Sequence, residues 1–204
     1  ALKDMADDIV GLLDCLRIRR AHIVGASMGG MISQIFAATY PDRVRSVGII
    51  FSSTNQMLLP PPKQHALKLL TSGPGKGATS EQYIAHSAKF MRAIHSPNYS
   101  FSDAELVAMA REMHERSFHP AGVLRQYNAI LGTGSLRPFA KRITKPTVVI
   151  HGDADPLVRP ACGRAVARAI PRSHWLLIKG MGHDLPPGVW PVITQALVTN
   201  MMRN

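Results

Sequence analysis

Cysteine is scarce in this sequence of 204 residues, which contains only Cys15 and Cys162. Two widely separated cysteines do not make a disulfide framework, and neither lies in a CxxC or Cys/His metal-ligand spacing. We therefore expect a protein of a reducing compartment, with the cytoplasm as its location. No metal is expected from this pattern.

Long apolar runs are also missing. One long uncharged stretch, residues 46–62, contains Ser, Thr, Asn, Gln and three prolines. It therefore fails the roughly 18 to 20 apolar residues that a membrane span needs. Hydrophobic residues make up 46% of the chain and charged residues 18%, which excludes disordered, collagen-like and coiled-coil classes and predicts a globular protein without a transmembrane segment.

Acidic residues are few: 13 Asp and Glu stand against 24 Lys and Arg, a net charge of +11. Such an excess raises nucleic acid and acidic membrane surfaces as partners. The basic residues are scattered in twos and threes, as at Arg17, Arg19 and Arg20, and no aromatic-interleaved or recognition-helix pattern accompanies them. We therefore expect neither nucleic acid nor membrane as a partner.

Strand-like and helix-like segments alternate along the chain. Apolar spacing predicts a helix over residues 2–17, a strand at 21–25, a helix ending near Tyr40 and a nearly all-apolar strand at 44–53. The rhythm resumes near the C-terminus with strands at 146–152 and 174–178 and helices at about 136–143, 160–170 and 189–202. This order predicts an α/β protein with a mainly parallel sheet flanked by helices.

The segment from residue 54 to 134 has a different character. Three prolines at 60–62 break the chain, a glycine-rich loop follows at 73–77, and the remainder is helical. Thr79 with Gln82, and Ser102 with Glu105, have the spacing of a helix capping box. We predict a core of residues 1–53 and 135–204 with a helical cap inserted at 54–134.

The segment Gly25-Ala26-Ser27-Met28-Gly29 is a GxSxG motif between a predicted strand and a predicted helix. A serine on such a turn needs a strained backbone to project its hydroxyl, and the flanking glycines leave room for it. Ser27 is therefore a candidate nucleophile. The alternative is a glycine-rich turn that only packs or binds phosphate, although the GxGxxG fingerprint is absent.

A serine hydroxyl needs a base and an acid that orients the base. The segments HGDADPLV at 151–158 and Gly182-His183-Asp184 each follow a predicted strand, so both should lie at the sheet edge that carries Ser27. Asp155 could instead be a turn residue before Pro156, and His183 a loop residue. We expect His151 to be structural.

Taken together, GASMGG at 25–30, HGDADPLV at 151–158 and GMGH at 180–183 resemble the α/β-hydrolase superfamily over essentially the whole chain. In the family pattern the acid lies four residues after the histidine of the His-Gly strand end, which implies Asp155 rather than Asp153, and the base is His183. The resemblance is strongest to small serine esterases of the aclacinomycin methylesterase-like and cofactor-free haloperoxidase-like groups. It implies no organic cofactor and no metal.

The resemblance also implies an oxyanion hole with the backbone N–H of Met28 as one donor. The second donor comes, in the family, from a loop after an early strand that has no counterpart here. We therefore expect the sequence to match the C-terminal two thirds of such an enzyme. Residues 21–25 would then form an open sheet edge, covered by an N-terminal segment or fragment or by another copy in a homo-oligomer.

These features predict hydrolysis of a small-molecule carboxylic ester through Ser27, His183 and Asp155. Other triad chemistry, such as perhydrolase or haloperoxidase, lactonase or carbon–carbon hydrolase activity, stays open, as does a noncatalytic small-molecule-binding module. The insertion is expected to set substrate choice, although its apolar residues could equally form only its own core. These residues are Met57, Leu58, Leu59, Phe90, Met91, Met109, Met113 and Phe118.

Overall fold

The computed structural model describes residues 1–99 and 101–203. The strands in this part of the chain are β1 (Ala21–Ala26), β2 (Val44–Ile50), β3 (Thr147–Gly152) and β4 (His174–Ile178). The α-helices are α1 (Leu2–Cys15), α2 (Met28–Thr39), α3 (Gln64–Thr71), α4 (Ser80–Ile94), α5 (Asp103–Arg116), α6 (Pro120–Thr133), α7 (Arg137–Ala140), α8 (Pro160–Ala169) and α9 (Trp190–Met201). Single-turn 3-10 helices lie at Pro41–Arg43 and Pro187–Val189.

The strands form one parallel sheet in the order β1-β2-β3-β4, with pairs such as Ile49 opposite Val149. All six residues of β3 are buried, and six of the seven in β2. Strands buried on both faces read as continuous apolar runs, which is why the sequence shows no alternation here. The predicted α/β class with a parallel sheet flanked by helices is confirmed.

Helices cover both faces of the sheet. On one face α1, α2, α7 and α8 share a core in which Phe36 and Val166 pack with Ile49 and Val149. On the other face α9 places Ile193 in a second core with Ile150. Both cores are therefore closed by helices that precede the first strand, connect consecutive strands or follow the last one.

Helices α3 to α6 lie in the segment predicted as an insertion. The Thr79 hydroxyl accepts a hydrogen bond from the N–H of Gln82, and Ser102 accepts one from Glu105, so both capping boxes are present. A small cluster of Ile84, Ala88, Leu106 and Ala110 joins α4 to α5. None of the residues of α6 is buried. The division of the chain into a core and a cap stays a prediction.

Some predicted boundaries differ from the structure. The strand predicted at 44–53 ends at Ile50, because Phe51 has a φ of 36° and leaves the extended conformation. The first helix ends at Cys15 rather than at residue 17, where Arg17 has a φ of 55°. The helix predicted at 136–143 is the single turn Arg137–Ala140.

Strand β1 is hydrogen-bonded to β2 and, within the described residues, forms the first edge of the sheet. Its side chains at His22 and Val24 are exposed. What pairs with this edge stays a prediction. None of the helices in the described ranges combines the length and hydropathy required to cross a bilayer.

Candidate active site

Ser27 lies between the last residue of β1 and the first residue of α2, with φ 54° and ψ −120°. A non-glycine residue in this region is strained and is held only by its surroundings. Here the Ser27 N–H donates to the Ile50 carbonyl oxygen at 2.9 Å, and the Ser52 hydroxyl donates to the Ser27 carbonyl oxygen at 2.7 Å. Contacts from the end of β2 thus hold the turn on both sides of the serine.

Two of the three glycines around Ser27 have no room for a side chain. A Cβ on Gly25 would lie 2.2 Å from the Gly29 carbonyl oxygen, and one on Gly30 would lie 2.6 Å from the Ser52 Cβ. A Cβ at Gly29, in contrast, would meet nothing within 4 Å. Packing therefore explains Gly25 of the motif and the Gly30 that follows it, but not Gly29.

The three side chains predicted from sequence lie together. The Nε2 atom of His183 is 3.0 Å from Ser27 Oγ, and its Nδ1 atom is 2.7 Å from Asp155 Oδ2. A carboxylate accepts hydrogen bonds, so Nδ1 carries the proton and Nε2 is left to accept the Ser27 hydroxyl hydrogen. This is the tautomer in which histidine can act as a base toward Ser27.

Asp155 is 1% exposed and lies in the loop after β3. Its Oδ1 atom accepts the N–H groups of Leu157 and Val158, both at 2.8 Å, which leaves Oδ2 for His183. Burial by itself raises the pKa of Asp155, but hydrogen bonds from His151 and His183 outweigh it and hold the pKa below its ordinary value. The carboxyl group is therefore charged at neutral pH.

His151 contacts the same carboxylate and is fully buried. Its Nε2 atom lies 2.8 Å from the Val158 carbonyl oxygen and 3.4 Å from Asp155 Oδ2, so Nε2–H is the donor. A Cβ on Gly163 of α8 would lie 2.0 Å from its Nδ1 atom. His151 thus supports Asp155 from inside the core, as the structural role predicted for it requires.

Met28 is the first residue of α2, and its backbone N–H is one of the group at a helix start that lacks an intrahelical acceptor. Ser27 and Met28 are both half-buried rather than enclosed in the core. The position fits an oxyanion donor next to the nucleophile. The second donor expected from the family pattern has no assigned residue.

Phe51 and Ser96 also belong to the site and were missed from the sequence. The ring of Phe51 packs on the imidazole of His183 with 4.5 Å between centroids. Ser96 is fully buried and bonds to residues on both sides of His183. Nothing in the sequence near either residue could have revealed this, because only the fold brings Phe51 to His183 and Ser96 to the two residues beside it.

Groups of three or more His, Cys, Asp or Glu side chains able to hold a metal ion do not occur within residues 1–99 and 101–203. Both cysteines are free, with Cys15 exposed and Cys162 buried.

Comparison with known proteins places this geometry in a family. The chain is 24% identical to rhodomycin D methylesterase of Streptomyces peucetius over 95% of this chain and 71% of that protein. It is 28% identical to 2-(acetamidomethylene)succinate hydrolase of Mesorhizobium japonicum, over 98% and 70%. The crystal structure of the enol-lactonase from Burkholderia xenovorans LB400 superposes with a TM-score of 0.73 at 23% identity, over 100% of this chain and 74% of that one.

The family model for the alpha/beta hydrolase fold matches residues 1–186. That range includes Ser27, Asp155 and His183 and most of the sheet and its flanking helices. The sequence match and the fold thus agree, and the chain belongs to the alpha/beta hydrolase fold family.

Proposed function

We propose that this protein is a serine hydrolase that cleaves carboxylic esters through an acyl-enzyme. The observation that carries the proposal is the continuous chain of hydrogen bonds from Ser27 through His183 to Asp155, with donor–acceptor distances of 3.0 and 2.7 Å. These contacts are short enough for proton transfer from the hydroxyl to the imidazole.

The first half of the reaction forms the acyl-enzyme. His183 Nε2 takes the Ser27 proton while Oγ attacks the ester carbonyl carbon, and the carbonyl π electrons move onto oxygen. Asp155 holds the Nδ1–H and stabilises the imidazolium. When the tetrahedral intermediate collapses, the carbon–oxygen bond to the alcohol breaks and His183 gives its Nε2 proton to the leaving oxygen.

The second half regenerates the enzyme. Water gives a proton to His183 Nε2 and attacks the acyl carbon, and collapse returns the electron pair and the imidazolium proton to Ser27 Oγ. The carboxylic acid leaves. In this proposal the N–H of Met28, the first residue of α2, stabilises the oxyanion in both halves. Loss of one oxyanion donor typically costs about 10² to 10³ in turnover.

Two observations favour catalysis over a noncatalytic binding module. A ligand-binding role places no demand on a strained serine, whereas Ser27 is held at φ 54°. It also places no demand on a buried carboxylate hydrogen-bonded to an imidazole, whereas Asp155 and His183 are 1% and 8% exposed and lie 2.7 Å apart. Rhodomycin D methylesterase, to which the chain is similar, is by its name an ester hydrolase.

Hydrolysis of p-nitrophenyl acetate by the protein and by Ser27→Ala tests the proposal. We expect the substitution to lower kcat by about 10⁴-fold or more, because the nucleophile is lost. Ser87→Ala is the matched control, because Ser87 is an exposed serine on α4. Covalent labelling by a fluorophosphonate, mapped by mass spectrometry, should be confined to Ser27. Equal hydrolysis by the protein and by Ser27→Ala would refute the assignment.

A further inference from the structure

The histidine loop, residues 180–184, is attached to the chain that follows α4. The His183 N–H donates to the Ile94 carbonyl oxygen at 2.8 Å, and the Asn98 N–H donates to the Gly180 carbonyl oxygen at 3.3 Å. We refer to residues 94–98 as the clasp. These bonds join the site to a segment that precedes it by more than 80 residues, within the helical region between β2 and β3.

The clasp lies so close to Gly182 that no side chain fits at this position of the histidine loop. A Cβ on this residue would lie 2.4 Å from the His95 carbonyl oxygen and 2.5 Å from the Ile94 carbonyl oxygen. The two backbones are therefore in direct contact at the residue before His183. A shift of the clasp therefore also displaces the imidazole of His183, because closely packed interiors transmit displacement.

Ser96 is the centre of this contact. Its hydroxyl accepts the N–H of Gly182 at 2.8 Å and donates to the Oδ1 atom of Asp184. A serine hydroxyl has one hydrogen to donate and two lone pairs to accept, so both bonds can exist together. One fully buried hydroxyl thus holds the residue before His183 and the residue after it.

Asp184 accepts the Ser96 hydroxyl hydrogen in surroundings that disfavour a charged carboxylate. Burial raises the pKa of this carboxyl group above its ordinary value, although the bonds with Ser96 act in the opposite direction. Its Oδ2 atom is buried and has no hydrogen-bond partner among the described residues. A buried carboxylate oxygen without a hydrogen-bond partner normally costs stability, so its presence beside His183 calls for a role other than stability.

We propose that Ser96 is a positioning residue for His183 and that, with Asp184, it couples the helical region to the reacting groups. This inference rests on the hydrolase function proposed above. Ser96 does not touch Ser27 or its proton. It fixes the loop on both sides of the imidazole, so that Nε2 stays in reach of Ser27 Oγ. Its loss lets the imidazole sample positions from which proton transfer is slow.

The test measures kcat and KM for p-nitrophenyl acetate in Ser96→Ala, Asp184→Ala and Asp184→Asn. We expect Ser96→Ala and Asp184→Ala each to lower kcat by about tenfold, with KM changed less than twofold, as loss of a buried hydrogen bond in the reacting geometry predicts. Asp184→Asn keeps an oxygen for the Ser96 hydroxyl and should retain at least half of the activity. Ser87→Ala, which changes an exposed serine on α4, should match the unaltered protein.

A double-substitution cycle separates positioning from general destabilisation. The two alanine substitutions remove one shared interaction, so their combination should lower kcat no further than the larger single effect. Multiplicative losses, or losses in kcat that follow the melting temperature across all variants, would overturn the proposal. So would full activity in Ser96→Ala.

The experiment also distinguishes this proposal from the function on which it rests. If Ser27→Ala hydrolyses the ester as well as the unaltered protein, the hydrolase assignment fails first. If Ser27→Ala is inactive and Ser96→Ala is fully active, only the positioning role fails. Should Ser96→Ala not fold, Asp184→Ala against Asp184→Asn makes the same comparison from the other end of the hydrogen bond, and equal activities would overturn the role.

Discussion

The sheet with its flanking helices and the helical region between β2 and β3 bury their side chains to different extents. Every residue of β3 is buried, as are seven residues of α2, whereas α5 buries two and α6 none. Ser27, Asp155 and His183 all belong to the first region. The reacting groups therefore lie where packing fixes positions, while the helical region contacts the loop that carries His183 through the clasp.

The largest loss of activity is expected at one of the two carboxylates in the loop after β3, within the region that holds the reacting groups. We expect Asp155→Asn to lower kcat by about 10⁴-fold, because an amide stabilises the wrong imidazole tautomer. Asp153→Asn is the matched control: it is exposed, two residues away, and bonds only to the Gly180 N–H. Steady-state kinetics on both variants makes the comparison. A larger loss in Asp153→Asn would show that the acid has been assigned to the wrong residue.

Core packing is the next largest expected difference. Ile49→Ala in β2 removes a fully buried side chain and should cost about 3 to 4 kcal/mol of unfolding free energy. Leu124→Ala in α6 removes a side chain that is 58% exposed and should change it by less than about 0.5 kcal/mol. Urea denaturation followed by circular dichroism measures both. Equal costs would mean that Leu124 is covered in solution.

Glycine-to-alanine substitutions in the two regions should change the stability in opposite directions. Gly25→Ala would place a Cβ 2.2 Å from a backbone oxygen and should cost about 3 kcal/mol or prevent the turn from forming. Gly132→Ala in α6 meets nothing within 4 Å and should stabilise the helix by about 0.5 to 1 kcal/mol. Melting temperatures should therefore move in opposite directions. A drop in both would contradict the open surroundings of α6.

The smallest expected effect is a difference in pH dependence between the carboxyl groups of Asp155, which is buried, and Asp184, which is partly buried. The pKa of Asp155 is lowered in the folded state, so its contribution is present above the unfolded value of about 3.9 and is lost as pH falls through the folded value. The pKa of Asp184 is raised, so folding is weakened as pH rises from about 3.9 through the folded value.

Denaturation midpoints between pH 3 and pH 7 measure this contrast in Asp155→Asn and Asp184→Asn. Relative to the unaltered protein, Asp155→Asn should lose stability as pH rises and Asp184→Asn should gain it. Parallel pH profiles for the two variants would show that the two carboxyl groups do not differ in environment. The contrast tests whether the sheet-edge loop and the clasp hold their carboxyl groups differently.

Local patterns predicted the parts of the site that are made by neighbouring residues. The strand-turn-helix around Ser27 was predicted because the turn, the strained serine and the glycines that permit it are contiguous. The capping boxes at Thr79 and Ser102 were predicted for the same reason. Asp155 was separated from Asp153 only by the family pattern, since both follow the same strand and nothing in the sequence shows which one turns inward.

Sequence alone determined the alternation of apolar strands with helices and the turn at Ser27, because these depend on residues within a few positions of each other. The tertiary structure decided that Ser96 holds His183 and that Phe51 packs on the imidazole. Contacts between residues more than 80 positions apart depend on how helices dock on the sheet. The local sequence around a buried hydroxyl does not indicate which residues it bonds to.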